Sequence, residues 1–294
     1  MSDGASSTEP QMVPSQATAS SPAVQIEPEL RVFVPVRRRV QLREFWTSLR
    51  VGRMLGIRDV KSKYKQSALG PIWLLVQPLV MLIAIVAAFS AVANVDTGHV
   101  PYVVFALVGL AVWMYFQAAL TTATITLPNN ATLVRRSPCP RVALITGTLL
   151  SVVPPLAVLL PIALVAAAVT GGVPTQELLL PVMIAWLLAL TTGVTLLVGA
   201  LGARFRDMAA LAPLVLQAGI FLTPVGYPLS ASHAYSAVIA LNPVSGLLEG
   251  WRWAVLDVAP DLFAVAVGVA WTVIVGYLGW YVFGRQETRF ADYV

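Results

Sequence analysis

Charge is scarce in this chain. Of its 294 residues only 11% are Asp, Glu, Lys or Arg, where a soluble domain carries about 25%. No solvated surface can be wrapped around such a chain, so lipid must be the solvent for most of it. Cysteine is scarcer still: Cys139 stands alone, which excludes an internal disulfide and a thiolate metal cluster. The only lysines are Lys61, Lys63 and Lys65, and none follows a glycine. A phosphate-binding loop needs a Lys after a Gly-rich turn, so ATP cannot be hydrolysed by that device here. The two histidines, His99 and His233, fall in connections far apart in sequence and suggest no metal pair. No Ser/His/Asp set has an interpretable spacing, and no enzyme is expected. Nor is a nucleic-acid partner.

What is present is apolar: 57% hydrophobic residues and a mean hydropathy of +0.78. Charge-free runs extend over Gln66–Val95, Val100–Val134, Val142–Gln176, Leu178–Ala203, Met208–Leu248 and Leu262–Gly284. Each is long enough for a membrane helix of about 20 residues. The expected fold is an all-α integral membrane protein with six spans, near 72–93, 102–125, 143–169, 179–202, 209–227 and 262–283. The fifth run exceeds one span. Its second half, Thr223 to Trp253, is interrupted by Pro, Gly, Ser and Asn, which membrane depth tolerates only where backbone is buried in protein or lines water. A re-entrant or outer segment of one or two short helices is expected between spans five and six.

Cations orient the bundle. With both termini inside, 18 of the 19 Lys and Arg residues lie on the cytoplasmic side, and Arg252 alone lies outside. The spans carry no Asp, Glu, Lys, Arg or His at their centres, whereas proton- and ion-coupled carriers bury such groups along their path. A secondary transporter is disfavoured. Uphill work by this bundle requires a separate ATPase with a docking surface on the inner side. Two inner segments qualify: Asn129 to Arg141, with room for one or two helical turns before Pro138, and Ala203 to Met208. A plain cation-rich connection is the alternative for the first.

Residues 1–30 are rich in Ser, Thr, Pro, Ala and Gln and hold four acids but no cation. That composition excludes a signal peptide and predicts a disordered tail. Residues 31–70 form a cytoplasmic interface segment, and 71–294 the membrane domain. Within the interface segment Leu42, Phe45, Trp46 and Leu49 share one helical face, with Arg43, Glu44 and Arg50 away from it. An amphipathic helix on the inner leaflet and one packed against the bundle both fit.

The stretch "RDVKSKYKQSALGPIWLLVQPL" (Arg58 to Leu79) resembles the amino-terminal signature of the ABC-2-type polysaccharide and polyol-phosphate export permeases, the membrane subunits of O-antigen, teichoic-acid, capsule and galactan exporters. "VPYVVFALVGLAVWMYFQ", "NNATLVRRSPCPRVALITGTLLS", "ARFRDMAALAPLVLQAGIFLTPVGYPL", "LNPVSGLLEGWRWAVL" and "RQETRFADYV" follow in the family's order, so the likeness covers about residues 43–294. "SPCPR" departs from it by lacking an aromatic before Pro-Arg, and "LAVW" by lacking a Pro before the Trp.

The resemblance implies a half-transporter: a homodimer around a central path, over two copies of a separate ATPase that binds ATP and Mg²⁺, with no cofactor on this chain. It places ATPase coupling on Asn129, Leu133, Arg135, Arg136, Pro138 and Arg141. Arg58, Asp59, Lys61, Lys63, Tyr64 and Lys65 then have two roles open. They can admit a polyprenyl-diphosphate-linked glycan at an inner gate, since clustered cations attract diphosphate. Or they can anchor the helix on anionic lipid. A sugar path suits aromatic rings and uncharged polar groups, which points to Trp113, Tyr115, Phe116, Gln117, Gln217 and Phe221; helix-to-helix glue is the alternative. Tyr227, Asn242, Glu249 and Arg252 are outer-gate candidates, Glu249 and Arg252 pairing at i, i+3. The expected location is a bacterial plasma membrane, and a lipid or drug exporter of the same superfamily is the alternative function.

Overall fold

The computed structural model describes residues 42–65, 70–92, 97, 100–136, 140–171, 177–230, 235–287 and 290. The expected tail over 1–30, the rest of 31–41, His99, His233 and Pro138 lie outside the described residues, as do the side chains of Phe45, Trp46, Tyr64 and Arg136. Among the described residues every regular element is a helix. The elements are α1 (Leu42–Lys65), α2 (Trp73–Val92), α3 (Tyr102–Asn129), α4 (Ala131–Arg136), α5 (Val142–Ser151), α6 (Val153–Gly171), α7 (Leu180–Arg204), α8 (Met208–Leu222), α9 (Ser236–Ala240), α10 (Pro243–Leu256) and α11 (Leu262–Gln286).

Five helical stretches are long and apolar enough to cross a membrane: Gly70–Phe89, Tyr102–Asn129, Val142–Thr170, Leu180–Arg204 and Leu262–Gln286. The third is α5 and α6 together, interrupted at Val152. The reason is local. Pro154 and Pro155 have no N–H to offer the carbonyls four residues back, and proline costs least in the first turn of a helix, where α6 uses them.

α3 is the axis of the bundle and is buried along nearly its whole length, with Ala106, Gly109, Ala111, Ala119 and Ala123 on it. Small residues let neighbouring backbones approach, which is what binds helices together where lipid competes for apolar surface. The same logic joins α7 to α11: a Cβ on Gly193 would lie 2.8 Å from the Gly276 nitrogen. α2 and α11 turn apolar faces outward, including Leu79, Val80, Ile83, Val273, Ile274 and Tyr277, as helices solvated by lipid do.

Two details depart from the expected outline. α8 is a 15-residue helix, shorter than a span, because Thr223-Pro224 ends it: the residue before a proline avoids the helical region and the proline has no donor. And α1 lies on α5 through Ser48, Gly52 and Gly56, all buried. A Cβ on Gly56 would stand 2.7 Å from Leu150 Cβ and 2.8 Å from the Gly147 carbonyl. Of the two readings of the interface helix, packing against the bundle describes residues 48–56.

Candidate functional site

The motif residues gather at the two ends of α3. At one end α3 stops at Asn129, where the Asn130 side-chain amide donates to the Thr126 carbonyl at 2.8 Å. α4 follows at once. With six residues it is too short to be stable alone, so it depends on what lies beneath it. That is a small apolar cluster distinct from the main core: Val134 of α4 is buried with Leu127, Leu144, Ile145, Leu196, Phe283 and Phe290, and Leu133 packs against them. Arg141 adds polar ties. Its guanidinium donates to the Val134 carbonyl at 3.2 Å, and its backbone N–H donates to the Glu287 carboxylate at 3.3 Å. Thr132 and Arg135 face outward. Of the coupling candidates, then, Leu133 and Arg141 face the bundle while Asn129 and Arg135 are exposed.

α1 brings the basic stretch to the same end. Arg58 and Asp59 are paired with each other, Nε to Oδ1 at 2.9 Å, and Lys61, Lys63 and Lys65 are exposed. Arg58, Asp59 and Asn129 line one cavity of about 210 Å³ with Thr122, Thr126, Asn130 and Thr148. Inner-gate and coupling candidates therefore share a wall.

At the other end of α3 lies a polar assembly around Arg252. Its side chain is 1% exposed. Nη2 donates to the Pro224 and Val225 carbonyls at 2.6 and 2.8 Å, and Nη1 to the Tyr227 carbonyl at 3.4 Å. Glu249 Oε1 is 3.6 Å from Nη1, and the guanidinium sits 3.8 Å from the centre of the Phe105 ring. The remaining carbonyl, Gly226, accepts from the Tyr102 hydroxyl at 2.7 Å. Every carbonyl from Pro224 to Tyr227 thus has a side-chain donor. Asn242 caps α10 by accepting from the Val244 N–H, and its amide donates to the Thr223 hydroxyl at 2.9 Å. Tyr227 donates to the Phe221 carbonyl and its ring packs 5.6 Å from that of Phe89. All four outer-gate candidates meet here. Burial pulls the Arg252 pKa down to about 10 and Glu249 works the other way, so the group remains a cation at neutral pH.

α10 runs antiparallel to α11. Leu241 accepts from the Trp271 indole at 3.0 Å, a Cβ on Gly268 would meet the Pro243 carbonyl at 3.2 Å, and Glu249 accepts from the Asp261 N–H at 3.3 Å. The turn into α10 is therefore level with a point nine residues into α11, about 14 Å from its start. Phe105 and Thr126, at the two polar assemblies, are 21 residues apart on α3, about 32 Å.

The path candidates do not form one wall. Trp113, Tyr115 and Phe116 are buried inside the chain, Gln117 is half-buried, and Gln217 and Phe221 are exposed on α8. Gly219 of α8 makes room for the Trp113 ring: a Cβ there would lie 3.2 Å from it. Tyr102, Phe105, Gly109, Thr126, Thr148 and Glu287 were not singled out by sequence. Nothing in their spacing marks them, since their partners come from other helices.

The model of the ABC-2 type transporter family matches residues 52–256, more than two thirds of the chain. The chain is similar to an "O-antigen export system permease protein RfbA" of Myxococcus xanthus, 26% identical over 240 residues that are 80% of this chain and 92% of the relative. Two Klebsiella pneumoniae proteins of the same description are 23% and 21% identical over 238 residues, each covering 80% of this chain and 91% of its own length.

Proposed function

The chain belongs to the ABC-2 type transporter family, and from that premise we propose that it is the membrane subunit of an exporter that moves a lipid-linked polysaccharide to the outer side of a bacterial plasma membrane. The observation that carries this reading is the match, along over nine-tenths of their length, to relatives described as O-antigen export permeases. Two copies of the chain enclose the path, and ATP with Mg²⁺ is bound and hydrolysed on two copies of a partner ATPase. This chain has no cofactor of its own. The 1–30 stretch is a tail, 31–70 an interface segment and 71–294 the transport domain.

The sixth crossing is α8 completed by Thr223–Tyr227. Fifteen helical residues reach about 22 Å, and non-helical backbone at membrane depth needs internal donors for its carbonyls. Arg252 and Tyr102 supply them, and Asn242 holds the Thr223 hydroxyl. With six crossings both termini are inside, which agrees with 18 cations on that side. At the inner end α4 presents Arg135 to the ATPase, with Arg136 next to it in sequence, and Arg58, Lys61, Lys63 and Lys65 receive the diphosphate of the glycolipid.

Depletion of the chain, followed by mass spectrometry of polyprenyl-diphosphate-linked glycans, tests the reading. Full-length lipid-linked polymer trapped on the inner leaflet is the expected result and names the sugar. Intact wall polymers with no trapped glycolipid would instead favour a lipid or drug exporter of the same superfamily.

A further inference from the structure

The segment that follows α11 is tied to α4 more closely than chain order requires. Phe290 is fully buried, edge-on to Phe283 at 5.0 Å between ring centres. Both rings belong to the cluster that holds Val134 of α4. Three residues before Phe290 in sequence, Glu287 accepts the N–H of Arg141, the residue that opens α5. An anion at that position is favoured by the orphan N–H groups of a helix start. Arg141 in turn donates to the Val134 carbonyl. The chain of contacts runs Glu287 to Arg141 to Val134, with Phe290 beneath.

α4 has six residues and cannot hold itself in place by helix propensity. Arg135 on its outer face is exposed. Val134 is its buried anchor, and the cluster below Val134 is separate from the main core. The position from which α4 meets a partner is therefore set by a few side chains, and Phe290 is the largest of them that arrives from outside α3, α5, α7 and α11. This gives the Phe of "RQETRFADYV" a purpose that bundle stability alone does not.

We propose that Phe290 and Glu287 are positioning residues that latch α4 in the place from which it transmits force between this chain and its ATPase. The latch rests on the reading of α4 as the ATPase contact. The test uses full-length protein in nanodiscs, with the sole cysteine changed (Cys139→Ser) and spin labels at Thr132 on α4 and Leu211 on α8, both exposed. Phe290→Ala is expected to broaden the label distance distribution and raise severalfold the ATP consumed per glycan exported. Phe290→Leu and Glu287→Gln, which keep an apolar filler and an acceptor, should restore both, and Glu287→Leu should not. An unchanged distribution in Phe290→Ala, with or without a lower melting temperature, overturns the latch. The distance readout does not involve the ATPase, so failure of the docking reading shows separately, as undiminished ATPase co-purification with Arg135→Glu/Arg136→Glu.

Discussion

The guanidinium of Arg252 lies 3.8 Å from the centre of the Phe105 ring, closing a cation–π contact between α10 and α3 while its N–H groups hold three carbonyls of the Thr223–Tyr227 segment. One cation thus substitutes for the helix that Pro224 interrupts. Gly109 makes the approach possible: a Cβ there would stand 2.6 Å from the Val225 carbonyl and 3.1 Å from Arg252 Nη2.

Removing that cation should be costly. Arg252→Gln leaves Glu249 buried without its partner and at least two carbonyls without donors, a loss of about 3–5 kcal/mol by the rule for broken buried pairs. Arg252→Lys should recover little, since a single ammonium lacks the planar fork. Glu249→Gln should be milder, because the amide oxygen still accepts the Asp261 N–H. Thermal unfolding in detergent checks the order: Arg252→Gln lowest, Arg252→Lys close to it, Glu249→Gln nearest wild type.

The same group fixes a pH response. Its folded pKa, about 10, is below the ordinary guanidinium value because of burial. The unfolded chain therefore binds more protons between those values, and the Arg252 contribution to stability should rise with pH through that window and stay flat below it. The melting difference between wild type and Arg252→Gln should be constant from about pH 6 to pH 9, all below the folded value. A difference that grows steadily with pH across this range would mean the guanidinium titrates there and the assembly is wrong.

At the α4 end of the bundle, Gly56→Leu should lift α1 from α5, since even a Cβ lies 2.7 Å from Leu150 Cβ. Gly52→Leu should do the same, because a Cβ would overlap Thr146 and stand 2.9 Å from the Ala143 carbonyl. Limited proteolysis near Arg50 and Arg53 should accelerate in both variants. Met54→Leu, on the exposed face, should leave the rate unchanged.

Charge reversal on α4 tests docking. Arg135→Glu/Arg136→Glu should abolish ATPase co-purification, while size-exclusion chromatography shows an unaltered dimer of this chain. An ATPase that still co-purifies in full removes α4 from the contact.

The apolar runs and their punctuation by charge were legible because each is a local pattern. So was the i, i+3 pair Glu249–Arg252. The carbonyls that Arg252 serves, 25 to 28 residues away, were not, since long-range contacts leave no period in the chain. Trp113 and Gln117 were read as a helix face toward a path, yet α3 is so central that Trp113 is buried against α8. Ser48, Gly52 and Gly56, which no pattern in the sequence marks, form the face of α1 that meets α5. Phe290 was visible as part of a motif, but its role depends on a cluster drawn from five helices.

Reconstitution tests the central claim most directly. The chain and its ATPase are placed in proteoliposomes loaded with lipid-linked glycan, and glycan exposure on the far leaflet is followed after ATP addition. Export that requires ATP, both chains and an intact Arg135/Arg136 pair is the predicted result. Glycan that crosses without the ATPase, or an ATPase that binds and turns over while none crosses, would contradict the account.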